Sequence, residues 1–437
     1  MKVSRWIGFV AGRYIYRGRK NSPSPVLSVL GIATGVLALT VIISVMNGFQ
    51  QGFIENILEI SSGHIRVEGI SAGREMELSE KINALPGIAS VLPFREIHVM
   101  IRGRFPGPRG ALVRGVPADA LEMDPGLAER LVIEDGVFDL SRPGSIVLGA
   151  ELARHLAVRA GDTVSLLSMS LALGDNEADY LYTVTGTFRS GSHEYDVGWA
   201  FINIHNAAEL SPETALPVFG IKLNNRWHDQ RGMEQIRTAL EPLGLTESAG
   251  IYIMSWRDYN RAFFSALRTE KLMMFILLGL IFIVVGLNIF QAQRRTVMER
   301  REEIGLLRAL GASTTAVRLV FVWDGFVIGI AGGGIGLVLG LGIALNIQPF
   351  FSFLEGGVNF FIGIFNEISA TLGVYAGAGE FAIFSPQVFY IQEIPSRVIP
   401  HEVALIFLFG FLSALLAAWF ASGKVSNMRP SEVLRYE

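Results

Sequence analysis

The seven histidines are the first place to look for chemistry in this chain of 437 residues: His64, His98, His155, His193, His205, His228 and His401. None forms an H-x-x-x-H or H-E-x-x-H pair. His193-Glu194 opens like a zinc-protease motif, but Val197 stands where the second histidine belongs. No cysteine is present, which excludes disulfides, thiolate metal sites, cysteine catalysis and lipid attachment through an N-terminal cysteine. No G-x-x-x-x-G-K-[ST] phosphate loop occurs. Gly423-Lys424 comes nearest, with Ala418 where the first glycine is required. Gly332, Gly333, Gly334 and Gly336 lie inside an apolar run. Gly332, Gly336 and Gly340 fall four apart on one helix face, a pattern for close helix packing rather than phosphate binding. With a net charge of −3 there is no electrostatic footprint for nucleic acid. Catalytic residues: none. Metal ligands: none. The chain reads as a non-enzyme that binds no cofactor of its own.

The strongest constellation is residues 297–312. Ile304, Leu307 and Leu310 are expected to line one side of a helix. Glu299, Arg300, Arg301, Glu302 and Glu303 crowd its first turns, Arg308 follows, and Gly311 is placed to end it. Such a helix suits docking into a groove on a partner protein. From the residues alone, a juxtamembrane helix resting on lipid is equally open.

The elements that must position this segment are apolar runs at 26–46, 272–289, 319–347 and 403–421. About 20 apolar residues at ~1.5 Å each cross a hydrocarbon core of ~30 Å. Mean hydropathy is +0.41. Lys2, Arg5, Arg13, Arg17, Arg19 and Lys20 precede the first run. Arg294, Arg295, Arg300, Arg301, Arg308 and Arg318 lie between the second and third, and Lys424, Arg429 and Arg435 follow the fourth. The loop between the third and fourth runs has one base, Arg397, against Glu355, Glu367, Glu380 and Glu393. The positive-inside rule therefore puts both termini and the 291–318 loop in the cytoplasm. The expected fold is an α-helical membrane protein with four transmembrane helices plus a large α+β periplasmic domain between the first and second.

The expected divisions are a cytoplasmic interfacial segment (1–24), helix one (25–49), the periplasmic domain (50–270, with a middle insertion at roughly 100–200), helix two (271–290), a cytoplasmic loop (291–318), helix three (319–347), a periplasmic loop (348–401), helix four (402–421) and a tail (422–437). Trp6, Phe9, Val10 and Tyr14 give the first segment an interfacial pattern. Alternation predicts strands at 65–68, 91–100, 111–114, 145–148, 163–167, 181–188, 200–204 and 218–223. Helices are predicted at 78–85, 150–156, 206–210, 229–240 and 256–271. Strands open and close the domain, so its ends are expected to share a sheet. The 256–271 helix is expected to run unbroken into the second span. Asp324 reads as a snorkelling or capping residue, and no span carries an ionic pair suited to an ion path.

The segment 299–312 resembles the coupling loop of FtsX-like ABC permeases. Ser44-Val45-Met46-Asn47-Gly48-Phe49-Gln50 is similar to a signature of the lipoprotein-releasing permeases, the LolC/LolE family. So are Gly-Ala-Leu-Val-Arg-Gly at 110–115, 148–153, Ser-Gly-Ser-His-Glu-Tyr-Asp at 190–196, 388–391 and the tail at 430–437. The resemblance implies a multi-pass permease of the cell inner membrane, both termini cytoplasmic. It implies a LolD-like ATPase dimer that holds ATP and Mg, a second permease subunit in a homo- or heterodimer, triacylated lipoproteins as cargo, a LolA-like periplasmic carrier and membrane lipids as partners. Coupling to the ATPase would fall to Glu299, Arg300, Glu303, Ile304, Leu307, Arg308, Leu310 and Gly311. An acyl-chain cavity would be lined by Val45, Met46, Phe49 and Phe53 and by Phe263, Phe264, Leu267 and Met274; phenylalanine and methionine suit flexible chains. A carrier-binding hairpin would fall at 169–182, with Leu171, Leu173, Asp175 and Tyr180. Its text lacks the Pro-rich tip of such hooks, which leaves an ordinary hairpin open. The 348–401 loop is longer than the family's, and its apolar, Gly-rich 360–384 segment fits a membrane surface or a partner subunit. Trp419-Phe420-Ala421 stands where the family usually has Tyr-Pro-Ala. MacB-type efflux and control of a cell-wall hydrolase are the alternative roles.

Overall fold

A computed structural model describes residues 24–71, 73–104, 107–168, 179–210, 216–299, 301–371, 381 and 394–426. Its helices are α1 (Ser24–Asn56), α2 (Glu75–Asn83), α3 (Ala120–Met123), α4 (Pro125–Arg130), α5 (Ala150–Leu156), α6 (His193–Gly198), α7 (Ile204–Leu210), α8 (Asp229–Leu240), α9 (Trp256–Tyr259), α10 (Arg261–Glu299), α11 (Arg301–Ala309), α12 (Thr314–Leu345), α13 (Ile347–Thr371) and α14 (Pro400–Ser426). A π-helical segment, Ile57–Ser62, follows α1 directly. The strands are β1 (Ile65–Glu68), β2 (Ile88–Arg102), β3 (Arg109–Val116), β4 (Val132–Gly136), β5 (Ser145–Gly149), β6 (Thr163–Ser168), β7 (Tyr180–Arg189), β8 (Trp199–Asn203), β9 (Val218–Leu223) and β10 (Tyr252–Ser255). The chain divides into a helical unit (1–51, 266–383, 393–437) and a mixed unit (52–265, 384–392).

In the mixed unit the strand order is β10-β1-β9-β2-β3-β8-β5-β7-β4, with β6 paired to β2 and β7. β1 lies antiparallel to both β9 and β10, so the two ends of this unit do share a sheet. β2 does double duty. Its first half, through Phe94, pairs β9, and its second half, from Arg95, pairs β3. Three apolar cores form around this frame. One gathers Ile97, Val113, Leu148, Leu156 and Val184. A second gathers Phe94, Phe188, Trp199 and Phe201, and a third Ile65, Leu78, Phe219 and Ile236. Two strands escape the sequence reading. β4 is largely exposed, so it lacks an alternating apolar face, and β10 is only four residues long. The α6 segment was likewise unassigned.

In the helical unit, among the described residues, four helices are long and apolar enough to cross a membrane: Val26–Ser62, Arg261–Glu299, Thr314–Leu345 and Pro400–Gly423. Gly332, Gly336 and Gly340 let the α12 backbone approach α1. A Cβ at Gly332 would lie 2.9 Å from the carbonyl oxygen of Val29, and one at Gly340 would lie 3.0 Å from Thr40. Gly325 and Gly329 do the same against α14, at Ala414, Ala418 and Phe411. Val36, Ile43, Leu278, Phe282, Ile328 and Ile406 fill the space between helices, while Leu272, Ile276, Leu280 and Val284 point outward. Apolar side chains thus cover both the inside and the outside of this unit, as lipid requires.

Two expectations about helix boundaries are corrected. The 256–271 helix is broken at Asn260, whose Nδ2 donates to the Trp256 carbonyl at 3.0 Å while its own carbonyl starts the next helix by accepting from Phe264 N–H at 3.1 Å. The 348–401 segment is not a loop throughout, because its first part is the 25-residue helix α13.

Candidate functional site

The end of the first long helix is a built joint. After α1 the backbone widens into the π-helical turn, which ends at Ser62 and so leaves its last carbonyls without helical partners. Two cations collect them. Arg114 on β3, 2% exposed, donates through Nη1 to the Ile60 carbonyl and through Nη2 to the Ser61 carbonyl at 2.7 Å. Lys222 on β9 donates to the Glu59 carbonyl at 2.9 Å and pairs with Asp124 at 2.8 Å and the Glu59 carboxylate at 2.7 Å. Gly63 then turns the chain with φ of 64°, tight against the Gly220 and Ile221 backbone.

Arg114 is held from every side. It pairs with Glu96, which also pairs with Arg66 at 2.8 Å. Its guanidinium lies 4.1 Å from the Phe94 ring centre and 4.4 Å from that of Trp199. Burial alone would raise the Glu96 carboxyl. The Arg114 and Arg66 guanidiniums overcome that and hold it down to about 2. Next to the joint, His64 accepts from Leu223 N–H at 2.8 Å through Nδ1, so the ring is neutral. Burial lowers its pKa to about 4, opposed by Glu59 and reinforced by Lys222 and Arg226.

The family-like segments converge here. Arg114 comes from the 110–115 text. Asp196, fully buried, closes the 190–196 turn by accepting from Ser190 N–H and Oγ, both at 2.7 Å. Tyr195 stacks edge-on against Trp199 at 4.7 Å. Sequence reasoning gave none of Arg114, Glu96, Arg66 or Lys222 a role. The available signal was the charge itself, sitting in strands whose other residues are apolar.

The residues proposed to line an acyl-chain cavity fall in both units. In the mixed unit Phe53 and Phe263 meet edge to face at 6.4 Å, Phe263 neighbours Phe264, and Phe264 packs on Trp256 at 4.9 Å. These form one aromatic group with Phe53 half exposed. In the helical unit Val45, Met46 and Phe49 on α1 and Leu267 and Met274 on α10 are all half-buried.

The helical unit carries a second polar site unanticipated from sequence. Glu402, 1% exposed at the start of α14, accepts from Asn47 Nδ2 on α1 and pairs with Lys271 on α10, so three helices meet on one carboxylate. At the opposite ends of α10 and α12, buried Gln293 donates to Asp324 at 3.1 Å, so Asp324 has a protein partner rather than only snorkelling.

At the expected coupling segment, α11 ends as read. Gly311 has φ of 96°, Gly311 N–H reaches the Arg308 carbonyl at 3.0 Å and Ala312 N–H reaches that of Leu307 at 3.0 Å, a Schellman closure. Its faces differ from the reading. Ile304 is buried with Val297, Val317 and Phe321, Leu307 and Arg308 are half-buried, and Leu310 is 79% exposed. Leu306, which sequence reasoning passed over, is 60% exposed. Glu299 and Glu303 are exposed; Arg300 lies outside the described residues. Of the hairpin residues, Leu171, Leu173 and Asp175 also lie outside them, and Tyr180 opens β7. So do the first interfacial segment and the tail beyond 426.

These parts match known families in order along the chain. The MacB-like periplasmic core domain matches residues 26–239, and the FtsX-like permease C-terminal domain matches 275–430. Together the two matches are the two parts of an FtsX-like permease of ABC transporters. Relatives match over nearly the whole chain. The lipoprotein-releasing system transmembrane protein LolC of Xylella fastidiosa strain Temecula1 is 28% identical, with 97% of each chain covered. LolC of Neisseria meningitidis strain MC58 is 28% identical, covering 100% of this chain and 99% of its own. LolE of Haemophilus influenzae is 24% identical, covering 98% of each. The chain belongs to the LolC/LolE family of permeases. Among solved structures, the periplasmic region of MacB from Actinobacillus actinomycetemcomitans covers 49% of this chain and 98% of its own at 13% identity and a TM-score of 0.32, too low to carry any argument.

Proposed function

We propose that the chain is the membrane permease of a lipoprotein-releasing transporter, which takes triacylated lipoproteins from the outer leaflet of the inner membrane and hands them to a LolA-like periplasmic carrier. It forms a homo- or heterodimer with a second permease subunit, and a LolD-like ATPase dimer below supplies ATP and Mg. Both termini and α11 face the cytoplasm, as the Arg-rich 294–318 stretch supports by the positive-inside rule.

The observation that carries this is the build of α11. Ile304 fixes the helix to Val317 and Phe321 of α12, while Leu306 and Leu310 stand free on the other side. A helix rooted in a span, with exposed leucines set among exposed Glu302 and Glu303 on its free side, is made to take a push from a docked protein. The full-length likeness to LolC and LolE points to the cargo. MacB-type efflux is the second reading, favoured by the MacB-like core at 26–239.

Reconstitution with the partner ATPase, a labelled lipoprotein and the carrier separates the two. ATP-dependent appearance of labelled lipoprotein on the carrier is expected. ATP hydrolysis with the lipoprotein retained in the liposome, while a small amphiphile is pumped, would establish efflux instead.

A further inference from the structure

We propose that α13 is an additional membrane-embedded element, immersed in the acyl chains of the outer leaflet and lying along that leaflet rather than across the bilayer. The helix follows α12 after a single break at Asn346 (φ −123°, ψ 44°), so it starts where an apolar span ends.

Its pattern is inside out. Gln348, Glu355, Asn359 and Asn366 recur at four- and seven-residue spacings and form a narrow polar stripe. That stripe faces the chain's own backbone. Asn359 Nδ2 donates to the Phe381 carbonyl at 3.0 Å, Phe381 N–H donates to Asn359 Oδ1 at 2.7 Å, and Ile394 N–H donates to Gln348 Oε1 at 3.3 Å. Glu355, Asn359 and Asn366 are half-buried, whereas Phe353 (77% exposed), Phe360, Phe361 (71%), Phe365 and Ile368 point out.

Three features select lipid as the occupant of this face. A helix resting on head groups from the water side carries Lys or Arg on its polar face. Here no Lys or Arg occurs between 347 and 371, and the polar face is turned inward. The outward large apolar residues span roughly 160° at 100° per residue, wider than the ~100° stripe that one packed helix covers. Third, the apolar surface continues from α12, whose Val338, Leu339 and Leu345 are also exposed.

Length fixes the attitude of the helix. From Ile347 to Asn366 it runs for about 30 Å, twice one leaflet of ~15 Å. Both of its ends belong to the outer side, because α14 re-enters from there. Glu367, exposed four residues before the end, marks the return to head-group level. Leaflet assignment rests on the topology proposed above; immersion does not.

The natural absence of cysteine allows a direct test. Single cysteines replacing Phe353, Phe360, Phe361, Phe365 and Ile368, and a second set replacing Glu355, Asn359 and Asn366, carry nitroxide labels on the full chain in phosphatidylethanolamine–phosphatidylglycerol vesicles. Collision with oxygen relative to a water-soluble nickel chelate should be about threefold higher at the first set, as lipid exposure demands. Low accessibility to both reagents at the first set would show a protein, such as a second permease, covering this face. High nickel accessibility would place it in water. Either outcome overturns the proposal. His401→Cys, tested with a membrane-impermeant maleimide, reports the side separately. Labelling only from the cytoplasmic side would overturn the topology and the leaflet while leaving immersion standing.

Discussion

The joint at the end of α1 and the helix α11 are held in opposite ways. At the joint the carbonyls of the π-helical turn are met from within the chain, although Arg114 Nε and Arg66 Nη1 are buried without a hydrogen-bond partner. Arg114 and Lys222 take three carbonyls of the π-helical turn, and Glu96, Asp124 and Glu59 balance their charge. At α11 one residue, Ile304, is locked into an apolar cluster while Leu306 and Leu310 are left bare. The first bonds mainly within the chain, and the second leaves apolar surface uncovered. A mutation in the first should therefore be read in stability, and a mutation in the second in assembly.

The largest effect is expected at Arg114. Arg114→Ala leaves two buried carbonyls without their donor and takes from Glu96 one of its two guanidinium partners, and should lower unfolding free energy by about 3–5 kcal/mol. Arg114→Lys should recover only part, since an ammonium cannot reproduce the guanidinium's fork. Thermal unfolding of the solubilised full chain measures both. If Arg114→Ala behaves like exposed Arg142→Ala, the joint bears no load.

Acid should act next, through His64. Its folded pKa of about 4 lies below the ordinary 6.5, so between these values the unfolded chain binds the proton and the folded chain does not. Stability is thus full above about pH 6.5 and falls by roughly 3 kcal/mol on the way down to pH 4. Below the ordinary carboxylate value, protonation of Glu96 removes a further share. His64→Asn keeps an acceptor for Leu223 N–H but cannot titrate; its unfolding curve should be flatter across that window. An unchanged slope would mean that another group sets it.

Gly311→Pro forces a φ near −65° on a residue that needs 96°, and should cost about 1–3 kcal/mol locally while uncoupling ATP hydrolysis from transport. Leu306→Asp and Leu310→Asp should change stability by less than about 0.5 kcal/mol. Both should still abolish co-purification of the partner ATPase. Retained co-purification would collapse the contrast between the two regions.

What was legible in the sequence follows from range. The four spans, β9, α5 and α8 could be read because their apolar periods are local. The joint could not. Arg114 and its acceptor at Ile60 are separated by 54 positions, and a buried arginine in a strand gives no local sign of what it bonds. On α11 the three-residue spacing of Ile304, Leu307 and Leu310 grouped Ile304 with Leu310. Burial against Phe321, which depends on how α11 folds back on α12, assigns them to different sides. The polar stripe of α13 was present in the text, but Gly356, Gly357 and Gly363 masked it as a Gly-rich loop.

The double pairing of β2 has one more consequence. The strand changes partners between Phe94 and Arg95, the natural crease along which the mixed unit would fold. Glu96 lies at that crease and ties Arg66 of β1, on one side, to Arg114 of β3, on the other. The crease is riveted beside the π-helical turn, whose carbonyls the same Arg114 holds. Opening the sheet along that crease would part both guanidiniums from one carboxylate, so the crease is the best-braced line of the mixed unit.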